Sequence, residues 1–326
     1  MGIIEHNQLD ELDFRILSLL QRDGRMAYTA MAKALDVSEG TIRNRVRRLE
    51  EGNFVQVVGV AEPSRTGFSE VFIWVKAERG KIVHVMEQLS SLPQTRYVAY
   101  ATGAYDLVAI AVVASRHNLL HFLTEELGKI DGIEETDTSV ILETIKQTYD
   151  WVPWPQGEPT VTDERAQDPP EVEEFDVDQL DDLDRQLIAY LQKDGRYRFQ
   201  DMANAVGVTE RTIRRRFGIL TGSGILRIVG VINPFQVGMN TVAIVGAKVN
   251  RQHIDTIAKQ LARQKEVRYV AVATGPYDLI IEAVMPSNDE LCDFLVDRLT
   301  RFTGISRTDT AMVLRVCKQI FNWPID

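Results

Sequence analysis

Apolar positions recur at helical spacing over residues 9–49: Leu12, Ile16, Leu19 and Leu20, then Met31 and Leu35, then Ile42, Val46 and Leu49. Steps of three and four residues put each set on one face of a helix. Beyond Glu51-Gly52 the period shortens, and FVQVVGV at 54–60 alternates apolar and polar positions as a strand does. The chain then runs EVFIWVKA, a helix near 82–89, RYVAYAT, DLVAIAVVA, a helix near 119–127, and IEETDTSVILETI. That order, β-α-β-β-α-β, is the ferredoxin-like one.

The whole pattern then returns. LDELDFRILSLLQRDGR at 9–25 recurs as LDDLDRQLIAYLQKDGR at 180–196, and TGAYDL at 102–107 recurs as TGPYDL at 274–279. The offset is 171 residues at the start and 172 further on, so the copies differ by one inserted residue over most of their length. The second copy shows TVAIVGAKV, a helix near 254–264, RYVAVAT, DLIIEAVM, a helix near 290–299, and ISRTDTAMVLRV. A unit this long is a complete module written twice, not a solenoid repeat of about 20–50 residues. The expected fold is α+β, a tandem duplication of a winged or helix-turn-helix domain followed by a ferredoxin-like βαββαβ domain. Its expected boundaries are a first helix-turn-helix domain at 1–61, a first sensing and dimerisation domain at 62–150, and their second copies at 179–232 and 233–326. Between them, 151–178 is rich in proline and acid with little apolar periodicity, the composition of a semi-extended linker.

Composition narrows the classes. A hydrophobic fraction of 44% is ample for cores, and no apolar run approaches the ~18 residues needed to span a membrane. The opening MGIIEHNQLDELD lacks the basic-then-apolar character of a signal peptide, so a soluble, cytoplasmic protein is expected. Cys292 and Cys317 lie in apolar patterns, as reduced packing residues rather than a disulfide or metal pair. The net charge of -10 does not exclude nucleic acid, because the acid concentrates in 158–184 while the arginines cluster elsewhere.

The arginines fall where chemistry needs them. TAMAKALDVSEGTIRNRVRRLEEGNFV reads as two helices joined by a break at Asp36-Val37-Ser38, a helix-turn-helix. Ser38 is a natural N-cap. Stepping about 100° per residue from Ile42 places Val46 and Leu49 beside it. Gly40, Thr41, Asn44, Arg47 and Arg48 then point outward, with Arg43 and Arg45 on the flanks. In the second copy Thr209 is the cap and Ile213, Phe217 and Leu220 form the buried stripe. There Arg211, Thr212 and Arg215 face out, with Arg214 and Arg216 flanking. Such a helix presents its first outward residues to base edges in the major groove and its arginines to phosphates. A solvated basic face would explain one such helix, but two copies with break, cap and basic face favour binding of double-stranded DNA. Asparagine suits adenine and arginine suits guanine, so the two heads are expected to read different half-sites.

Each ferredoxin-like half also carries T-G-x-Y-D between its middle strands and T-D-T in its last strand. The glycine permits a positive φ, and a purely structural turn would account for the aspartate. Hydroxyls beside turn amides could equally hold a small zwitterion.

The chain here resembles the Lrp/AsnC, or feast/famine, family of transcription factors. The opening Leu9, Asp10, Asp13, Ile16, Leu17, Leu20 with QRDGR, its second copy Leu180, Asp181, Asp184 with QKDGR, the helix-turn-helix and G-x-Y-D carry the resemblance. It covers everything but the linker and extreme termini. It implies a regulator that binds an amino acid or other small effector near the G-x-Y-D turn. Gly103, Tyr105, Asp106, Thr136 and Thr138, with Gly275, Tyr277, Asp278, Thr308 and Thr310, are then the effector contacts. It also implies that the two sensors pair within the chain as a pseudo-dimer, spanned by the linker, and that chains self-associate further. Two departures stand out: Pro276 inside the second turn alters that site, and Gly218 loosens the second recognition helix.

Siroheme decarboxylases resemble the same family and are the alternative reading. They would need a histidine at the middle-strand turn, and the turn here is T-G-x-Y-D. The histidines are His6, His84, His117, His121 and His253, in the tail or on expected sensor helices. No nucleophile motif, phosphate loop or metal-ligand cluster appears, so no catalytic residue, metal or cofactor is expected.

Overall fold

The computed structural model describes residues 9–150 and 180–321; the expected linker at 151–178 lies outside them. By their contacts the described residues form two units, one of residues 9–66, 149–150 and 180–237, the other of 67–148 and 238–321. Each unit draws like parts from both copies.

The first unit contains two three-helix bundles. In the first copy these are α1 (Glu11–Arg22), α2 (Tyr28–Leu35) and α3 (Glu39–Glu51), followed by β1 (Val55–Ala61). In the second they are α6 (Asp182–Lys193), α7 (Phe199–Val206) and α8 (Glu210–Gly222), followed by β6 (Leu226–Ile232). The repeated L-D-x-x-D opening is a reciprocal capping box: Asp10 accepts from the Asp13 amide and Asp13 from that of Asp10, and Asp181 and Asp184 do the same. Strand β1 pairs antiparallel with β6, from Val55 opposite Ile232 to Ala61 opposite Leu226.

The repeated D-G-R tripeptide ties this unit together. Gly24 donates to the Ile228 carbonyl and Gly195 to that of Val57, each at 2.9 Å and each in the other copy. Arg25 then reaches the carbonyls of Gly195 and Tyr197 at 2.8 and 3.2 Å, and its guanidinium lies 4.2 Å from the Phe199 ring centre. Arg196 returns the contact to the Met26 carbonyl at 3.1 Å and stacks over Tyr28. Burial and the neighbouring Arg196 hold Arg25 below its ordinary pKa.

The second unit is a closed antiparallel barrel in the order β10-β3-β4-β2-β5-β8-β9-β7. The first copy supplies β2 (Ser69–Ala77), α4 (Ile82–Ser91), β3 (Thr95–Ala101), β4 (Leu107–Val113), α5 (Arg116–His121) and β5 (Ile133–Gln147). The second supplies β7 (Thr241–Val249), α9 (Ile254–Ala262), β8 (Val267–Ala273), β9 (Leu279–Met285), α10 (Asn288–Asp293) and β10 (Ile305–Gln319). Each last strand is long enough to serve twice. Strand β5 pairs β2 from Ile133 to Val140 and then β8 from Ile141 to Gln147. Strand β10 pairs β7 from Ile305 to Met312 and then β3 from Val313 to Gln319. Alternation sends Val71, Ile73 and Val75 toward the helices α4 and α5, with Val85, Leu89 and Phe122 in one core. Ala243, Val245 and Ala247 sit in the matching core of the second copy. The second sensor helix of each copy is not a single α-helix. It widens into a π turn at Phe122–Glu126 and again at Phe294–Arg298, which keeps Phe122 with Leu127, and Phe294 with Leu299, buried together.

The copies are not interchangeable inside the barrel. Arg96 pairs with Glu70 at 2.6 Å, both nearly fully buried, and the Tyr269 hydroxyl of the other copy donates to Glu70. Arg268, equivalent to Arg96, pairs instead with Glu282 through two bonds of 2.6 Å. The positions equivalent to Glu70 and Glu282 are Val242 and Ile110. Burial, and then the Glu282 carboxylate, push the Tyr97 hydroxyl above its ordinary value.

Two expectations need correction. Phe217 is half-buried rather than part of a sealed stripe: it leans on Phe199, 5.1 Å between ring centres, with the Arg25 guanidinium 5.4 Å from its own ring centre. Cys292 is exposed on α10, whose inner face is taken by Leu291.

An added Cβ at Gly195 would stand 2.8 Å from Ile228 and 3.0 Å from the Val58 backbone, whereas Gly218, in α8, has nothing within 4 Å. Gly195→Ala is expected to lower stability by about 1–3 kcal/mol. Gly218→Ala should raise it by about 0.5–1 kcal/mol; urea unfolding of the two variants measures both.

Candidate functional site

The two recognition helices, α3 and α8, are built alike. Ser38 and Thr209 cap them by accepting from the Thr41 and Thr212 amides at 3.1 and 3.2 Å. Their hydroxyls also meet those of Thr41 and Thr212 at 2.9 Å, so these four side chains hold the helix starts. Ile42, Val46 and Leu49, and Ile213 with Leu220, are fully buried.

The arginines divide into two groups. Arg45 bonds Asp10 at 2.5 Å and Asp13 at 3.0 Å, and Arg48 also bonds Asp13, which is wholly buried. In the second copy Arg216 bonds Asp181 at 2.5 Å and Asp184 at 3.0 Å. The capping aspartates of α1 and α6 therefore anchor the recognition helices, and these three arginines are engaged within the fold. Burial works upward on Asp10 and Asp181. It is outweighed by the Arg45 side chain at Asp10, and by the Asp184 amide and the Arg216 charge at Asp181, so both sit below the usual carboxylate range. Asp184 is pushed above it by burial, against the pull of Arg216. Arg43 and Arg214 bridge back one turn to Glu39 and Glu210, and Arg47 rests 3.4 Å from the Asn44 side chain. Arg211 and Arg215 are exposed and, among the described residues, pair with no carboxylate. Gly40 and Asn44 are exposed as well.

The far end of each recognition helix is closed by the other copy. Arg65 donates to the Ser223 carbonyl at 2.8 Å, at the end of α8. Gln236, the equivalent residue, turns its amide nitrogen to the Gly52 and Asn53 carbonyls at 3.2 and 3.0 Å, at the end of α3. Donors at a C-terminus satisfy carbonyls that the helix leaves unpaired.

In the barrel, the T-G-x-Y-D turn of each copy lies on the last strand of the other. Thr102 donates its amide to the Met312 carbonyl and accepts from the Met312 amide; Thr274 makes the same pair with Val140. Gly103 and Gly275 have φ of 104° and 97°, and a Cβ there would stand 3.0 and 2.6 Å from the carbonyl oxygens of Thr310 and Thr138. Asp106 and Asp278 accept from the amides of Ala77 and Val249 at 2.9 and 2.8 Å, which gives them the structural duty their spacing allowed. The Tyr105 hydroxyl donates to Asp137, and the Trp74 ring lies 5.7 Å from Tyr105 and 5.4 Å from Tyr277. Tyr105 and Tyr277 are both pushed above the ordinary tyrosine value, first by burial and then by the carboxylates of Asp137 and Asp309.

The structure thus brings Gly103, Tyr105 and Asp106 to one turn and Gly275, Tyr277 and Asp278 to the other. Strand alternation sets Thr136 and Thr138 on the face of β5 opposite Asp137 and Ser139, and the same holds for Thr308 and Thr310 about Asp309. Asp137 and Trp74 belong to the cluster although the motif residues alone did not single them out. The sequence did hold a signal: at an offset of 172, Trp74 aligns with Gly246, the one position where the matching strands differ most in size.

Removing the Arg216 guanidinium leaves the buried Asp184 without its cation, whereas Asp13 keeps Arg48 when Arg45 is lost. Arg216→Ala should lower stability by about 1–3 kcal/mol in urea unfolding, more than Arg45→Ala. Arg215→Ala should stay within about 0.5 kcal/mol of the parent.

The AsnC-type helix-turn-helix domain matches residues 9–50 and 180–220, and the Lrp/AsnC ligand binding domain matches residues 70–151 and 242–322. An uncharacterized HTH-type transcriptional regulator of Pyrococcus abyssi is 39% identical over 144 residues, 44% of this chain and 91% of that protein. The HTH-type transcriptional regulator FL11 of Pyrococcus horikoshii is 34% identical over 142 residues, 43% of this chain and 93% of that protein. Each such relative therefore corresponds to about one module. At full length, the crystal structure of the siroheme decarboxylase NirDL in co-complex with an iron-uroporphyrin III analogue superposes with a TM-score of 0.64 at 16% identity, over 97% of this chain and 95% of that one. At that identity the likeness is one of fold.

Proposed function

The chain belongs to the Lrp/AsnC family of transcriptional regulators, and on that premise we propose that it works as an intrachain pseudo-dimer, binding double-stranded DNA through both recognition helices and answering to a small effector such as an amino acid. The observation that carries the DNA reading is the division of labour among the arginines. Arg45, Arg48 and Arg216 are spent on anchoring, while Gly40, Asn44 and Arg47 on α3 and Arg211 and Arg215 on α8 face solvent on helices fixed at both ends. Preorganised outward side chains at a helix start suit base-edge and phosphate contacts. A regulator of chromosomal DNA acts in the cytoplasm.

The effector reading rests on the paired turns, where exposed Gly103 and Gly275 sit beside half-buried polar strands. Further self-association is supported by Leu142 and Leu314, equivalent positions on β5 and β10 that are 62% and 61% exposed. The NirDL-like fold leaves a decarboxylase as the other reading, but its turn histidine has no counterpart in T-G-x-Y-D, and the described His117 and His121 are exposed on α5.

Fluorescence anisotropy with a promoter fragment tests the proposal. Arg211→Ala and Arg215→Ala should each weaken binding by about tenfold or more, with a shallower salt dependence for a lost phosphate contact. Wild-type affinity in both variants, or no binding by the parent, contradicts it.

A further inference from the structure

The two turns carry different chemistry, and we propose that the chain takes one amino-acid effector, not two, held by its ammonium group at Asp137 beside Tyr105. The inference rests on the effector reading above and adds which site binds and through which groups.

Consider the first site. Asp137 stands opposite Trp74 across the β2–β5 ladder, and Ser139 opposite Phe72, so all four side chains share one face. The Asp137 carboxylate accepts from the Tyr105 hydroxyl and, among the described residues, meets no cation. Of its acidic neighbours, Glu134 is paired with Lys76 at 3.4 Å, while Glu135 is exposed and adds negative charge. Trp74 is 1% exposed and its indole N–H has no acceptor; Ser139 is wholly buried and its hydroxyl has no partner. An uncompensated carboxylate next to aromatic faces suits an ammonium group. Two buried donors without acceptors suit the carboxylate of the same zwitterion, since such groups are costly to leave unpaired. Tyr105 is half-buried and follows the exposed Thr102, Gly103 and Ala104, which makes this the solvent side of the cluster.

The second site keeps the equivalent acid and tyrosine, Asp309 and Tyr277, but has lost both unpaired donors and the open carboxylate. Gly246 replaces Trp74 and Ala311 replaces Ser139. The Tyr277 ring lies over Gly246, 2.5 Å from where a Cβ would be, and is 3% exposed. Arg307 replaces Glu135 and forms an ion pair with Asp309, 2.7 Å between nitrogen and oxygen, so the carboxylate already has its cation. The chain's own guanidinium stands where a ligand's ammonium would go.

Calorimetric titration of the full chain with each of the twenty L-amino acids tests this, followed by the N-acetyl derivative of any that binds. One equivalent per chain is expected, with no binding of the N-acetyl form. Glu135→Arg copies the arrangement of the second site at an exposed position, so the fold should survive, as a thermal melt will show. It should weaken binding by about tenfold or more, the scale of a lost charge-assisted contact, while Asp309→Asn leaves binding unchanged. Two equivalents, insensitivity to Glu135→Arg, or loss through Asp309→Asn overturns the one-site assignment and leaves the effector reading standing. Absence of binding by all twenty overturns both.

Discussion

Strands β5 and β10 each lend their second half to the other copy, and the rest of the sensor unit depends on that loan. A four-stranded ferredoxin-like sheet has two edges, and an exposed edge is an open row of backbone donors and acceptors. Here β5 runs past its partner β2 and closes on β8, while β10 runs past β7 and closes on β3. The closure buries the inner faces of both sheets against each other. It also presses each T-G-x-Y-D turn onto the opposite last strand, so the turn beside each candidate effector site is held by the other copy.

The first unit follows the same logic with different parts. A single strand from each copy pairs across, β1 with β6, and the D-G-R turns and the Arg65 and Gln236 caps lace one helical bundle to the other. Because partners sit on one chain, the copies were free to diverge. Glu70 and Glu282 place the acid that pairs the equivalent arginines at inequivalent positions, Trp74 is matched by Gly246, and Arg48 by Ile219. A homodimer would carry every such residue twice.

Much of this was legible in the residues. Helical and strand periods gave the element order, and the cap at Ser38 and the stripe of Ile42, Val46 and Leu49 placed the recognition helix correctly. The spacing argument could not say that Arg45 and Arg216 are held by aspartates 32 and 35 residues earlier, because that pairing depends on how α1 and α6 cross the recognition helices. Nor could it foresee that the D-G-R arginine crosses to the other copy, or that Thr138 meets the second turn through its backbone rather than its hydroxyl. Periodicity reports which face a side chain takes within its own element; contacts between copies come from tertiary pairing. The Trp74 to Gly246 exchange was visible as letters, but its meaning needed the ring of Tyr277 lying in the vacated space.

The central claim is that the two copies close one barrel within a single chain. Glu143 and Val272 are paired across the β5–β8 ladder, so cysteines placed at both, with Cys292 and Cys317 replaced, can be oxidised and run on a denaturing, non-reducing gel. The account predicts a disulfide inside the chain, with the oxidised protein migrating as a compact species of one 36.9 kDa chain at every protein concentration. A covalent dimer forming in its place would show that the modules pair between chains, and would contradict the account.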